Sequence, residues 1–246
     1  MKNVFANPGT KFPSLVLGEV HVWKVSLHAS PDLVRQLFET LAPEEQARAK
    51  RFAFERDEIR YIVAHAALRF LISKYTGISF REIQIIADRL GRPYLQSVNN
   101  RAGLHFSLSH SEELAAMAFC LDEELGIDIE QKRPEAASME IAKRHFSESE
   151  LRELRKFSGD EWVAGFFRCW TRKEAYLKAL GVGLGMDLRS FEVTLESDEI
   201  AELRASDAEK WKVFPFRIEP EYCGAVVYRS TMSAVRLWSL DAPAIR

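Results

Sequence analysis

Two short motifs carry the side chains best suited to chemistry. The first is residues 126–130, Gly-Ile-Asp-Ile-Glu, in which acids alternate with apolar residues. As a strand, this segment places Asp128 and Glu130 on one face, roughly 7 Å apart. The second is residues 170–178, a helical pattern in which Glu174 falls within the apolar arc. Carboxylates directed at a core are costly unless they are paired or bound to a metal ion.

Asp128, Glu130 and Glu174 together indicate chemistry at phosphorus. Hard carboxylate oxygens suit Mg²⁺, which shares its coordination shell with substrate phosphates. A magnesium ion beside basic groups neutralises phosphate charge and orients an in-line attack. Two alternatives without chemistry remain open. Glu174 and Lys178 could form an i,i+4 ion pair on the helix surface, and residues 128 and 130 could face solvent on an antiparallel strand. The basic groups available as counter-charge are Arg60, Arg92, His110 and Lys178.

Composition limits the classes of protein that this chain can represent. Its 246 residues are 47% hydrophobic, enough for one large domain or two of about 120 residues. The net charge of −2 gives no bulk attraction to nucleic acid or anionic membrane. Cys120, Cys169 and Cys223 are far apart, which argues against a disulfide framework or zinc site and favours a reducing cytoplasm. No apolar run suits a signal peptide or a membrane span.

Hydrophobic periodicity predicts an α+β fold. Two long helical patterns, 54–75 and 162–180, each end near glycine and are each followed by strand patterns. This echo predicts two similar α+β halves, residues 1–121 and 122–246, each with a small antiparallel sheet packed on its long helix. Shorter helices are predicted after Ser30, after Ala42 and after the capping pattern that begins at Ser147. Strands are predicted at 17–27, 83–86, 105–110, 114–121, 125–130, 211–216, 223–228 and 235–240.

The two acidic motifs at this spacing closely resemble those of the 4′-phosphopantetheinyl transferases. The resemblance is to the larger, monomeric type that activates surfactin synthetase and similar assembly lines. It continues in Gly-Arg-Pro at 91–93, in residues 106–111 and in residues 143–147. It covers most of the chain, from about Val20 to Tyr228.

This resemblance implies a fold, a reaction and partners. The fold would be a pseudo-dimer of two α+β halves, with the active site in the cleft between them. The enzyme would move the phosphopantetheine arm of coenzyme A to a serine of an acyl or peptidyl carrier protein. Adenosine 3′,5′-bisphosphate would leave, and Mg²⁺, with Mn²⁺ as a substitute, would serve as cofactor. A cytoplasmic monomer without nucleic-acid or membrane partners is expected.

The resemblance also implies a role for each matching residue. Asp128, Glu130 and Glu174 match the magnesium ligands, so Glu174 counts as catalytic. Glu150 matches an acid proposed to take the proton of the carrier serine, while Lys178 matches a lysine that stabilises or protonates the leaving phosphate. Matches to groups that hold the phosphates of the nucleotide are Arg60, Arg92, Ser109, His110, Lys173 and Lys178, with Arg48 near the 3′-phosphate.

Some features depart from the family pattern or lie outside its motifs. Glu45 stands where relatives often carry a lysine, and Ser107 stands where they carry an asparagine. The first departure predicts weaker or reorganised binding of the 3′-phosphate. A docking surface for the carrier is expected at Met139, Lys143, Arg144 and Phe146.

Two other functions remain open from the sequence. A Mg²⁺-dependent nuclease uses the same equipment, an acidic pair on a strand with a glutamate and a lysine on a helix. The acidic pI of about 6.3 argues against it. A catalytically inactive carrier-binding module is the other alternative, and the joint presence of Asp128, Glu130, Glu174 and Lys178 argues against that.

Overall fold

The computed structural model describes residues 5–9, 12–96 and 100–245. These residues form a mixed α+β protein with small sheets and helices. Within this part of the chain, no helix combines the length and the apolar character needed to cross a membrane.

Six α-helices and eleven strands make up the described part of the chain. The helices are α1 (Pro31–Phe38), α2 (Pro43–Ala49), α3 (Glu55–Thr76), α4 (Met139–His145), α5 (Glu148–Leu154) and α6 (Gly159–Leu180). The strands of the first half are β1 (Glu19–Ser26), β2 (Ile85–Ala87), β3 (Pro93–Leu95), β4 (Leu104–Ser111) and β5 (Leu114–Leu121). Those that follow are β6 (Leu125–Gln131), β7 (Glu192–Val193), β8 (Leu203–Arg204), β9 (Trp211–Phe216), β10 (Tyr222–Arg229) and β11 (Ala234–Leu240).

The predicted signals begin and end the helices. The Ser30 side chain caps α1 by accepting a hydrogen bond from the backbone of Leu33. Gly77 ends α3 and Gly181 ends α6, both in the left-handed conformation with φ of 74° and 68°. Both long helices have 22 residues. β2 overlaps the strand predicted at 83–86, whereas β3 and β8, with three and two residues, are too short to give a periodic pattern.

The strands form two principal sheets. The first has the order β11-β1-β5-β4 and the second has the order β6-β10-β9. All neighbours in these sheets are antiparallel except β1 and β11, which are parallel. β11 comes after the boundary predicted at residue 122, yet it pairs with β1, which comes before it. The first sheet therefore contains strands from both sides of that boundary.

The core is layered. One face of the first sheet packs on α3, with Trp23, Phe119 and Leu71 in the same cluster. Its other face packs on the second sheet, where Val22 meets Ile127 and Ile129. The outer face of the second sheet packs on α6. The layers therefore run helix, sheet, sheet, helix, and the hydrophobic effect stabilises each contact.

Gly126 allows the second sheet and α6 to approach closely. A Cβ atom built there would lie 2.2 Å from the carbonyl oxygen of Ala175 and from the backbone nitrogen of Ala179. Leu125, Ile127 and Ile129 face the core between the sheets, as predicted, so the even-numbered positions of β6 face α6. The backbone contact at position 126 thus brings the acids of β6 next to those of α6.

Candidate active site

Asp128 lies buried between β6 and α6. The residue is 4% exposed, so the alternative of a solvent-facing acidic edge is wrong at this position. Its Oδ1 atom accepts hydrogen bonds from Lys178 Nζ and from Ser109 Oγ, both at 2.7 Å. Its Oδ2 atom is buried and has no hydrogen-bond partner among the described residues. An unpartnered carboxylate oxygen in a buried place is costly, which indicates that a further positive group belongs there.

Glu130 and Glu174 flank Asp128, one on the same strand and one on α6. Ser111 Oγ donates a hydrogen bond to Glu130 at 2.7 Å. Burial raises the pKa of Glu130 and of Glu174, and the negative charge of Asp128 raises each pKa further. The three acids therefore form one electrostatic group with an excess of negative charge.

Lys178 supplies the positive charge nearest to these acids. Its ion pair is with Asp128, on the neighbouring strand. The alternative of an i,i+4 ion pair between Glu174 and Lys178 is not found among the described residues. Because the lysine is 32% exposed, its ammonium group faces both the buried acid and the open cleft.

The three acids are the type of donor that a hard divalent cation prefers. Among the residues that the structure describes, no group of three or more His, Cys, Asp or Glu side chains is arranged closely enough to hold a metal ion as it stands. Three half-buried or buried carboxylates are nevertheless available, with the free Oδ2 atom of Asp128 and two raised pKa values. A magnesium ion has the charge and the preference for oxygen ligands that would relieve both features.

A cleft made of three adjoining cavities runs along β4 beside these acids. The first, here called the Glu174 cavity, has a volume of about 290 Å³ and is lined by Arg92, Glu174 and Lys178. It shares Lys178 with the second, the Arg48 cavity, whose volume is about 610 Å³. The third, the Arg60 cavity, shares His110 with the second, is lined by Glu130 and has a volume of about 300 Å³.

Most of the basic residues predicted to hold phosphates line this cleft. Arg92 lies in the β2–β3 hairpin, and its side chain packs closely over Gly181 at the end of α6. A Cβ atom at that glycine would lie only 2.8 Å from Arg92 Nη1. Arg48 extends from α2 with its guanidinium group 5.5 Å from the centre of the Tyr61 ring. His110 is exposed where β4 ends. The structure therefore brings these side chains together with Ser109, Arg60, Lys178 and the three acids.

Glu150 and Lys173 do not line these cavities. Each side chain is 1% exposed, and Lys173 Nζ lies 2.8 Å from Glu150 Oε1. The ammonium also donates to the carbonyl oxygens of Leu188 and Phe191, while Glu150 accepts from the backbone of Ser147 in the predicted capping box. Burial raises the pKa of Glu150, and this effect outweighs the lowering by Lys173 and by the backbone hydrogen bonds. Neither side chain can reach a substrate in this conformation, so their catalytic and phosphate-binding roles stay predictions.

Glu45 and Ser107, the two departures from the family pattern, are both engaged inside the protein. Glu45 pairs with Arg69 and with His65 Nδ1, at 3.0 Å from the latter, and it also accepts from the backbone of Ala42. Its carboxylate lines the Arg48 cavity, where the positive charge of Arg69 offsets its negative charge. Ser107 Oγ accepts a hydrogen bond from the backbone nitrogen of Ile127, so it links β4 to β6.

The docking surface predicted on α4 needs a correction. Phe146 is 1% exposed and belongs to the core beneath α5 and α6, so it cannot contact a partner. Lys143 and Arg144 are exposed, as predicted. Phe146 is buried because the helix ends at His145 and the chain turns inward toward the cap of α5.

Sequence reasoning missed several residues of the Arg60 cavity, and two of them, Glu112 and Arg133, form an ion pair there. Glu112 lies in the turn between β4 and β5, and Arg133 follows β6. Arg133 stands three residues after Glu130 in the acidic motif, and this closeness was the one available signal. Glu112 had no signal, because its contacts come from segments far apart in the chain.

Comparison with known families covers both halves of the chain. Residues 124–227 match the 4′-phosphopantetheinyl transferase superfamily. Residues 26–121 match the family described as 4′-phosphopantetheinyl transferase, N-terminal. The junction between the two matches falls close to the predicted boundary near residue 122.

Individual relatives match over most of their length. The chain is 34% identical to 4′-phosphopantetheinyl transferase HetI of Nostoc sp., over 88% of this chain and 91% of that protein. It is 30% identical to 4′-phosphopantetheinyl transferase Sfp of Bacillus subtilis, over 76% and 81% respectively. A solved structure of a holo-(acyl-carrier-protein) synthase from Bacillus anthracis in complex with CoA (3′,5′-ADP) matches with 27% identity and a TM-score of 0.36, over 43% of this chain and 94% of that one. On the sequence matches, this chain belongs to the 4′-phosphopantetheinyl transferase superfamily and is an enzyme of that type.

Proposed function

We propose that this enzyme transfers the 4′-phosphopantetheine arm of coenzyme A to a serine of an apo acyl or peptidyl carrier protein. The serine oxygen bonds to the phosphorus that bears the arm, and the pyrophosphate bond to the nucleotide breaks. The serine proton is released, and adenosine 3′,5′-bisphosphate leaves with the bridging oxygen. The observation that carries this proposal is the buried Asp128, which is flanked by Glu130, Glu174 and Lys178 beside a cleft lined with basic side chains.

A magnesium ion would be held by Asp128, Glu130 and Glu174. When bound, it neutralises negative charge on the pyrophosphate and favours attack at phosphorus. The free Oδ2 atom of Asp128 and the raised pKa values of the two glutamates support this assignment. Ser109 and Ser111 donate to two of the acids and so fix the carboxylate orientations.

Lys178 acts on the leaving group. Lys178 lines both the Glu174 cavity and the Arg48 cavity, so its ammonium group can contact a phosphate bound in either one. It stabilises the charge that develops on the departing 5′-phosphate and can donate a proton to it. Arg48, Arg92 and His110, on the walls of the same cleft, bind the other phosphate oxygens of the nucleotide.

We also propose that the two halves, 1–121 and 122–246, form a pseudo-dimer that works as a monomer. Each half contributes a sheet and a 22-residue helix ended by a left-handed glycine, which supports the repeat. β11, which belongs to the second half, pairs with β1 in the sheet of the first half. The basic residues Arg48, Arg60 and Arg92 come from one half and the acids from the other, so a single chain supplies the complete site.

The test is intact-mass spectrometry of an apo acyl carrier protein incubated with the enzyme, coenzyme A and Mg²⁺. The proposal predicts a gain of one phosphopantetheine and no gain when the acceptor serine is replaced by alanine. Chelation of the metal should stop the reaction, and added Mg²⁺ should restore it. Binding of coenzyme A without any gain in mass, over several carriers, would instead identify an inactive binding module.

A further inference from the structure

The turn between β4 and β5 contains a residue in an unfavourable backbone conformation. Glu112 has a φ of +47°, one of two positive values among the described residues other than glycine. The turn has two residues between paired strands, since Ser111 pairs directly with Leu114. Glycine is the favoured residue at such a position because it has no Cβ atom. A glutamate there costs free energy, so its side chain is expected to contribute something in return.

The Glu112 carboxylate bridges two arginines from different parts of the fold. Its Oε2 atom accepts from Arg60 Nη2 at 2.9 Å, and its Oε1 atom accepts from Arg133 Nη1 at 2.8 Å. Arg60 belongs to α3, which packs on the first sheet, and Arg133 follows β6 of the second sheet. The carboxylate therefore joins both sides of the cleft at the Arg60 cavity.

Both arginines retain a donor that this contact leaves unused. The Nε atoms of Arg60 and of Arg133 are buried and have no hydrogen-bond partner among the described residues. A guanidinium group is best satisfied by an oxyanion that takes two of its N–H groups at once. Arg60 is 12% exposed and also contacts Glu113 and Asp57, so its charge is held in place beside the cavity. Both arginines line the same cavity, and each keeps a buried donor unused while Glu112 occupies the contact, so the two oxygens of Glu112 do not satisfy them.

We propose that the Arg60 cavity is an oxyanion subsite of the active cleft, and that Glu112 is its internal occupant, displaced by a substrate. The cavity adjoins the Arg48 cavity through His110 and is lined by Glu130, so a group bound there lies beside the candidate metal site. The oxyanion is a phosphate of coenzyme A or a carboxylate of the carrier protein. This assignment of substrates rests on the proposed function, whereas the subsite itself does not.

The first test uses inorganic pyrophosphate as the probe and calorimetric titration as the measurement. Glu112→Gly removes the competing carboxylate and relaxes the backbone. We expect it to bind pyrophosphate about tenfold more tightly than the unaltered enzyme. Adding Arg133→Met to Glu112→Gly should abolish the gain. An unchanged or weaker affinity in Glu112→Gly would overturn the proposal and leave Glu112 as a structural residue of the turn.

Asp122→Gly is the matched control. Asp122 has the other positive φ, +58°, and lies between β5 and β6. Its replacement removes one negative charge and the same kind of backbone strain without touching Arg60 or Arg133. We expect its affinity for pyrophosphate to equal that of the unaltered enzyme. An equal gain in this control would show that general charge, and not the Arg60 cavity, governs binding, and would overturn the proposal.

Two further titrations distinguish the sources of the oxyanion. If a donor phosphate enters the cavity, Glu112→Gly tightens binding of coenzyme A and leaves binding of the apo carrier unchanged. If a carrier carboxylate enters, the reverse holds. Tighter binding of pyrophosphate with neither substrate affected would overturn the assignment to substrates. Failure of the proposed transfer reaction would appear separately, as absent mass gain in an enzyme whose subsite still binds pyrophosphate.

Discussion

Asp128 shows how single residues set the chemistry of this site. Its Oδ1 atom is shared by Lys178 and Ser109, and its Oδ2 atom lacks a partner among the described residues. Its charge raises the pKa of Glu130 and of Glu174, after burial the next effect that acts upward on both. This arrangement holds excess negative charge in a partly buried place, which is the feature that supports the proposed magnesium site.

Glu150→Gln tests the buried pair of Glu150 and Lys173. The change removes the partner of an ammonium group that is 1% exposed, so we expect the free energy of unfolding to fall by about 3 kcal/mol. Adding Lys173→Met should recover part of this loss because no buried charge then remains. Denaturant unfolding followed by circular dichroism measures both effects.

Glu148→Gln is the control for that experiment, since Glu148 is an exposed acid in the same short helix. It should change the free energy of unfolding by less than about 0.5 kcal/mol. If Glu150→Gln proved as stable as this control yet inactive, the pair would not be structural, and the catalytic role predicted for Glu150 would be favoured.

Glu45 predicts a dependence of stability on pH. Burial alone would raise its pKa, but the hydrogen bond to His65 and the charge of Arg69 outweigh burial and lower the pKa below its usual value of 4.5. A carboxyl whose pKa is lower in the folded state stabilises the fold above the unfolded pKa. That contribution is lost as the pH falls through the folded value. Glu45→Gln should therefore be less stable than the unaltered enzyme at neutral pH, with the difference shrinking below about pH 4.5.

Thermal unfolding over a range of pH values measures this difference. Glu44→Gln serves as the comparison, because Glu44 is the exposed neighbour in the same helix. It should follow the unaltered enzyme at every pH. A constant difference between Glu45→Gln and the unaltered enzyme across the acidic range would contradict the lowered pKa.

The contact of β6 with α6 positions the acids. Gly126 is essential to it, since a methyl group there would lie 2.2 Å from backbone atoms of the helix. Gly126→Ala must push the strand and the helix apart, and we expect it to lower the free energy of unfolding by about 3 kcal/mol. The rate of transfer should fall further than the loss of folded enzyme explains, because Asp128 and Glu174 separate.

Gly185→Ala provides the control for the glycine substitution. A Cβ atom at Gly185 meets nothing within 4 Å, and its φ is not positive. Its stability and rate should match those of the unaltered enzyme. Gly126→Ala with normal activity per folded molecule would show that the close approach does not position the site.

The helices and most strands could be predicted from the sequence because their patterns are local. The cap at Ser30, the glycine ends of α3 and α6, and the alternating faces of β6 all follow from neighbouring residues. The inward turn at Phe146 could not be predicted, since its burial depends on the packing of α5 and α6. The parallel pairing of β11 with β1 joins residues over two hundred positions apart, which no local pattern encodes.

For the molecule as a whole, the cleft combines side chains from segments before and after residue 122. The acids of β6 and α6 could be identified from their spacing and from the resemblance. The bridge that Glu112 makes between Arg60 and Arg133 could not, because it exists only once α3, the β4–β5 turn and the end of β6 are packed together. Local motifs therefore predicted which residues carry charge, whereas the packing determines which of those charges remain available to substrates.

The rate at which an apo carrier protein gains phosphopantetheine, compared between Glu174→Gln and Asp160→Asn, tests the assignment of the acids. Both residues lie on α6, but Asp160 is exposed in the first turn and Glu174 lines the cleft. With coenzyme A and Mg²⁺ in excess, we predict an unchanged rate for Asp160→Asn. For Glu174→Gln we predict a rate lower by a factor of about 100 or more, without loss of folded enzyme. Equal rates in the two variants would contradict the role of Glu174 and the carboxylate site built around Asp128.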